Sequence, residues 1–316
     1  MADATYQIVQ LASLGAACDQ ALATRYRVRA LWDETQITAH LDAAAGATVA
    51  ITSVRKGLKK EWIEQLTSLR AVCSWGVGYE TLDMHAIKER GMVASNTPEI
   101  LDDCVADLAW ALLLTAARRT NTGDHYVKSG QWQSIGAFPL STRVWGKRMG
   151  ILGMGRIGTA IAQRAVGFRM QVRYNNRRER QDCPFTFEPS LHKLAEWADF
   201  LVLACPGGPQ TRHIVDAQVL QALGAQGILI NIARGSVVDE AALVSALEKG
   251  ELGGAGLDVL EREPTVPDAF LHMDQITLMP HVGSATHETR QAMSRLVMDN
   301  AVAFLERGQL LTPIRD

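Results

Sequence analysis

At 316 residues the chain is about twice the usual domain length, and its 47% hydrophobic and 21% charged content is that of a folded protein with two cores, which excludes a disordered or low-complexity chain. Lys plus Arg number 32 against 34 Asp plus Glu, a net charge of -2, so no global positive field recruits nucleic acid or anionic lipid. The longest apolar stretch, Leu108 to Ala117, falls far short of the roughly 20 residues of a membrane span, and the start, Met1-Ala2-Asp3, has neither the basic region nor the apolar core expected of a signal sequence. The five cysteines (Cys18, Cys73, Cys104, Cys183, Cys205) form no CxxC pair. A cytoplasmic protein with reduced thiols, no metal site and no membrane or nucleic-acid partner is expected.

Short β-rich runs alternate with helix-like segments along the whole chain, the pattern of parallel sheets joined by crossover helices. The first strands are expected at Tyr6 to Leu11, Arg27 to Leu31, Thr48 to Ile51, Ala71 to Trp75 and Met92 to Ser95, with helices at Trp62 to Leu69 and Asp83 to Arg90 between them. Pro98 opens a segment running to Arg119 whose middle is apolar nearly all round, so it is expected to be a buried helix. The less regular stretch from Asn121 to Arg148 carries Trp132, Phe138 and Trp145; it reads as a subunit-contacting arm or as a surface loop. Six further strands are expected at Met149 to Leu152, Gln171 to Tyr174, Phe200 to Ala204, Gly227 to Asn231, Ala255 to Asp258 and Ile276 to Met279, which match a complete doubly wound unit. A last helix, Thr286 to Arg307, follows the final strand and can return the chain to its first half.

Gly153-Met154-Gly155-Arg156-Ile157-Gly158 satisfies GxGxxG directly after a strand and before a helix. The first glycine permits the tight turn, the second the approach of a pyrophosphate, the third close packing of helix on strand, and the helix start offers unpaired N–H groups to the anion. An NAD site usually ends the next strand on an acid that accepts from both ribose hydroxyls. Here that strand ends Asn175-Asn176-Arg177-Arg178, with Asn176 in the acid's place and two guanidinium groups suited to a 2′-phosphate. The motif therefore predicts NADPH (NADP+) as cofactor, with NADH a weaker substitute. The competing reading is that Arg177, Arg178 and Arg180 are solvated loop charges.

Three residues stand where successive strands end, the position at which open α/β sheets hold ligands: Arg234, Glu263 and His281. Singly, each has a plain explanation as a turn cap, a solvated acid before Pro264, or a loop histidine. Jointly, an arginine, a carboxylate and a histidine beside a nicotinamide-type site form a carbonyl-reducing set.

With these residues in view, the chain resembles the D-isomer-specific 2-hydroxyacid dehydrogenase family. The resemblance rests on Gly153 to Gly158, Asn231-Ile232-Ala233-Arg234-Gly235-Ser236, Gly256-Leu257-Asp258-Val259 through Glu263-Pro264, and Pro280-His281-Val282-Gly283-Ser284-Ala285-Thr286. It extends into the first half through Gly76-Val77-Gly78-Tyr79-Glu80 and Asn96-Thr97-Pro98-Glu99. The Asn-Asn-Arg-Arg strand end and the stretch from Leu252 to Pro264 are most similar to NADPH-preferring glyoxylate/hydroxypyruvate reductases of that family and their plant relatives.

The resemblance implies an α/β fold of two doubly wound parallel-sheet domains. A flavodoxin-like substrate domain (1–100, completed by 286–316) would flank a Rossmann dinucleotide-binding domain (101–285), with a hinge near Pro98 and Ser284 and assembly as a homodimer. It assigns the substrate carboxylate to Arg234 and to backbone N–H groups at Val77 and Gly78, the proton to His281, and the support of that histidine to Glu263. Glu263→Gln is accordingly expected to move the reduction limb of the pH profile to lower pH. Arg156, Ile157, Cys205, Pro206, Thr211, Ile232, Ala233, Asp258, Gly283, Ser284 and Val105 are implied to line the cofactor. The activity implied is NADPH-dependent reduction of glyoxylate, hydroxypyruvate or a similar small 2-oxo acid to the D-2-hydroxy acid. A 2-ketogluconate or aryl-pyruvate reductase is the alternative among enzymes, and a dinucleotide-sensing protein similar to co-repressors the alternative outside them.

Overall fold

Continuous apolar runs mark strands buried on both faces, and such runs build two parallel sheets. The computed structural model describes residues 6–315 and divides into two units, Met1–Leu101 with Thr286–Asp316, and Asp102–Ala285. Among the described residues no helix is long and apolar enough to cross a membrane.

In the first unit, β1 (Ile8–Gln10), β2 (Val28–Ala30), β3 (Val49–Ser53), β4 (Ala71–Trp75) and β5 (Val93–Ser95) pair in the order β2-β1-β3-β4-β5, all parallel. Strand residues alternate between faces. Val9, Ala50 and Val72 pack on one side with Ile37 and Ile63, while Ile8, Ile51 and Cys73 pack on the other with Val297 and Ala301 of the helix His287–Arg307. That second face explains why the chain comes back: a doubly covered sheet needs apolar cover on both sides, and the last helix supplies it. The tail beyond the helix lies antiparallel along β5, with Ser95 opposite Pro313 and the Ile314 N–H donating to Ala94 O at 2.8 Å.

The second unit contains β6 (Arg148–Leu152), β7 (Gln171–Asn175), β8 (Thr186–Phe187), β9 (Phe200–Leu203), β10 (Ile228–Asn231), β11 (Gly254–Leu257) and β12 (Ile276–Leu278). They run parallel in the order β12-β11-β10-β9-β6-β7-β8. The direction of winding reverses between β6 and β9, which opens a crevice at their carboxyl ends. The six expected strands are present. The seventh, β8, is a two-residue edge with no run long enough for periodicity to reveal.

Two expectations need correction. The helix expected from Pro98 begins at Asp102 and ends at Arg118. Pro98 disfavours helical backbone at Thr97, and Glu99 takes a left-handed φ of 70°, so the helix starts beyond both, on Asp102 and Asp103, whose charge suits its positive end. It buries Val105, Ala109, Trp110, Leu112 and Leu113, and Trp110 stacks on Phe168 at 4.4 Å while its indole donates to Ile161 O. The stretch after it is also more regular at its start than expected, since Thr120–Lys128 is helical. That helix buries none of its residues, so its sequence shows no apolar stripe. Beyond it Ile135 and Leu140 are 96% and 99% exposed, with Trp132 and Trp145 over half exposed.

Candidate active site

The glycine loop follows β6 and leads into the helix Arg156–Gly167. Gly153 has a φ of 99°, and a Cβ there would strike the backbone of Ala204 and Cys205 after β9. Gly158 presses its Cα face on the carbonyl of Gly153, so no side chain fits there either. Gly155 differs: its backbone is ordinary and a Cβ would meet nothing within 4 Å. Nothing within the fold requires glycine at that position. The bare backbone leaves a cradle at the helix start that a Cβ would fill, which fits a dinucleotide pyrophosphate. Arg156 turns from this cradle to Asp102, with Nε 3.1 Å from Oδ2, and Ile157 is half-buried beside it.

At the end of β7, Asn176 Oδ1 accepts the Met154 N–H at 2.7 Å, tying the strand end to the glycine loop. With its oxygen committed, the side chain has only its NH2 group to present, and an amide donor suits a phosphate oxygen. Arg177 reaches Gln210 Oε1 at 3.3 Å and Arg178 is exposed. Arg180 is not simply a solvated loop charge: it donates to Met154 O at 2.9 Å and Thr159 Oγ1 at 3.0 Å and pairs with Asp182. Cys205 lies buried against Gly153, and burial pushes its thiol up to about 11, so it is inert at neutral pH. Thr211 donates its hydroxyl to Pro206 O at 2.8 Å and closes the turn after Cys205.

Arg234 follows β10, Glu263 follows β11 and His281 follows β12. These three strands are neighbours, so the side chains leave one edge of a single sheet. Glu263 and His281 meet, with Oε2 2.7 Å from Nδ1. The other oxygen of Glu263 accepts the Leu260 N–H at 3.2 Å. About a third of each side chain is exposed, 28% for His281 and 32% for Glu263. With Nδ1 held by a carboxylate, the orientation of the ring is fixed. His281 itself has a left-handed φ of 56°, and the loop that imposes it is pinned by Asp258. The buried Asp258 carboxylate accepts the N–H of Val282 at 2.7 Å on one oxygen and of Gly283 at 2.8 Å on the other. Burial pushes its pKa up while those two donors pull it back. Gly283 packs on Val105, and a Cβ there would sit 3.4 Å from the valine methyl. Ser284 is half-buried on the same loop.

Arg234 is extended at the start of a short 3-10 turn, Gly235–Val237, and its Nη1 donates to Ala233 O at 2.7 Å. Two residues that sequence reasoning did not single out set its place. Buried Asn231 accepts the Ala233 N–H and donates to Arg234 O, each at 3.0 Å, which shapes the turn through Ile232. Gly207 makes room for the side chain, since a Cβ there would lie 2.7 Å from Arg234 Cγ. A third feature also escaped the sequence: Glu261 accepts from Arg212 at 2.7 Å and pairs with His213 at 2.9 Å, while its N–H donates to Glu240 at 2.6 Å. Burial works against the ionised form of Glu261, but His213 and Arg212 outweigh it and hold the carboxyl below its usual range. The Asn-x-x-Arg spacing is the one signal that pointed to Asn231; the partners of Glu261 lie 48 and 49 positions away. Val77 and Gly78 belong to the first unit, in the turn that follows β4.

A doubly wound nucleotide unit with Arg, Glu and His on successive strand ends defines a dehydrogenase acting on carbonyl or hydroxyl carbon. The chain belongs to the D-isomer specific 2-hydroxyacid dehydrogenases, whose NAD binding domain model matches residues 110–283. Glyoxylate/hydroxypyruvate reductase A of Arabidopsis thaliana and hydroxyphenylpyruvate reductase of Plectranthus scutellarioides are each 41% identical over 97% of this chain and 98% of their own. Among solved structures, the NADPH-dependent glyoxylate/hydroxypyruvate reductase of Sinorhizobium meliloti, in complex with NADP and malonate, superposes with a TM-score of 0.91 at 38% identity, covering 98% of this chain and 97% of that one.

Proposed function

We propose that the protein reduces glyoxylate, hydroxypyruvate or a related small 2-oxo acid to the D-2-hydroxy acid, with NADPH preferred over NADH. The observation that carries this reading is the 2.7 Å contact between Glu263 and His281 Nδ1, on the sheet edge that also bears Arg234. Ile232, Ala233, Cys205, Pro206, Asp258, Gly283 and Val105, with the glycine loop, would hold a nicotinamide dinucleotide, which when bound and reduced would supply the hydride for a carbonyl carbon. The guanidinium of Arg234 is suited to hold the substrate carboxylate; taken by itself, the turn at Val77 and Gly78 of the first unit offers backbone donors of the kind a carboxylate accepts. His281 delivers a proton from Nε2 to the carbonyl oxygen as that oxygen gains charge. Glu263 accepts from Nδ1 and so fixes the ring's orientation.

The NADPH preference rests on Asn176, whose oxygen is occupied by Met154, and on Arg177 and Arg178 beside it. The chain is further proposed to act as a homodimer, a reading supported by the exposed Trp132, Ile135 and Leu140. Initial rates with NADPH and NADH across glyoxylate, hydroxypyruvate, hydroxyphenylpyruvate and 2-ketogluconate test the reading. Turnover of the small acids with NADPH is expected, and no turnover of any 2-oxo acid would sink it.

A further inference from the structure

We infer that Asn96 and Thr97, which follow β5, are positioning residues that aim the N–H groups of Val77 and Gly78 at the substrate carboxylate. The inference rests on the proposed function and is confined to the first unit. Its geometry comes from the peptide planes. In a trans peptide the C=O and the following N–H point in opposite directions. Gly76 O accepts the Thr97 N–H at 3.0 Å, which turns the Val77 N–H away from Thr97. Val77 O accepts from Asn96 Nδ2 at 2.7 Å, which turns the Gly78 N–H the same way. Two successive carbonyls are thus pinned on one side, and two successive N–H groups face the other. Neither N–H has a hydrogen-bond partner among the described residues. Adjacent backbone donors without partners are an anion-binding arrangement, and a carboxylate is the anion this substrate class offers.

The arrangement is built to stay in place. Thr97 is fully buried and its hydroxyl accepts the Gly76 N–H at 3.2 Å, so Gly76 is held at both of its polar groups. Gly76 has a φ of 129°, and a Cβ there would strike Val54. Asn96 is held in turn: its carbonyl accepts from Thr312 Oγ1 at 2.7 Å, and Thr312 is gripped by the buried Asn300, which accepts its N–H at 3.0 Å and donates to its hydroxyl at 3.1 Å. The returning helix and tail therefore buttress a turn more than two hundred positions earlier in the chain.

The test uses the full-length enzyme and Asn96→Leu, which keeps the size, removes the donor and adds no charge. Loss of the pin should raise KM for glyoxylate about 10-fold, the scale of one charge-assisted hydrogen bond. The inhibition constant of oxamate, a carboxylate that cannot be reduced, should rise in parallel, with kcat and the KM for NADPH within about twofold of wild type. Thr97→Val should act in the same direction and Thr97→Ser should restore wild-type constants; that pair carries the test if Asn96→Leu does not fold. Unchanged glyoxylate and oxamate constants, or an equal loss in kcat and cofactor binding, would overturn the inference. Failure of the wild-type enzyme to reduce any 2-oxo acid would instead defeat the functional reading beneath it.

Discussion

Asn176→Asp is the sharpest perturbation of cofactor choice available in this fold. The change is isosteric, and one carboxylate oxygen can keep the 2.7 Å bond from the Met154 N–H, so the glycine loop and the melting temperature should be preserved. What changes is the group facing outwards: an NH2 donor becomes a charged acceptor. Toward a 2′-phosphate, a favourable hydrogen bond to a charged group is lost, about 1.5–3 kcal/mol, or roughly 10- to 100-fold in kcat/KM. Repulsion between two anions adds to the loss. Toward NADH, the new carboxylate gains acceptors for the ribose hydroxyls. Together these should move the ratio of kcat/KM for NADPH over NADH by on the order of 100-fold in favour of NADH, with Arg177 and Arg178 limiting the swing. Steady-state kinetics with glyoxylate and each cofactor measure it. A ratio within about threefold of wild type, in a variant of unchanged melting temperature, would show that Asn176 does not face the adenosine ribose and that the reasoning from its committed oxygen is mistaken.

Other expectations follow from the same geometry. Gly155→Ala should leave the melting temperature unchanged, because its Cβ meets nothing, yet raise the KM for cofactor at least several-fold, whereas Gly158→Ala should lower the melting temperature by forcing the helix off the Gly153 carbonyl; differential scanning fluorimetry beside kinetics separates the two, and identical behaviour would count against the cradle. His281→Gln should cost about 10²- to 10⁴-fold in kcat, the usual worth of a general acid, with cofactor binding by fluorescence titration intact. Asp199, which accepts from the Arg148 side chain at 3.1 and 3.2 Å and from its backbone at 2.9 Å, has its pKa lowered: burial opposes this, and the bonds from Arg148 win. Its contribution is therefore present above the ordinary carboxylate range and lost as pH falls through the folded value. Asp199→Asn should cost about 1–2 kcal/mol at pH 7, and the gap in melting temperature should close below about pH 4; a gap independent of pH would contradict the assignment.

Much of the fold was legible because its signals are local. Runs such as Phe200–Leu203 and 228–230 are apolar on both faces, short and rich in β-branched residues or flanked by turn signals, which fits a buried parallel strand. The edge strand β8 and the helix Thr120–Lys128 were not legible, because neither buries an apolar pattern of its own. The start of the long helix was misplaced by four residues, since the left-handed Glu99 is a property of the turn and not of the glutamate. At the site, Gly153, Gly155 and Gly158 announce a nucleotide loop by spacing, and Arg234, Glu263 and His281 announce carbonyl chemistry by their places after strands.

Pairings were another matter. Nothing in the residue order says that Asn176 spends its oxygen on Met154, that Arg156 turns to Asp102, or that Arg180 folds back on the glycine loop. Each of those outcomes depends on which donor and acceptor lie within about 3 Å once the sheet is assembled. The order of residues determines strands, helices and chemical inventory, because backbone propensity and apolar period act over a few positions. Partnership between groups tens or hundreds of positions apart, Glu261 with His213 or Thr312 with Asn96, is decided by the fold, because hydrogen bonds and buried charges respond to distance in space and carry no signature along the chain.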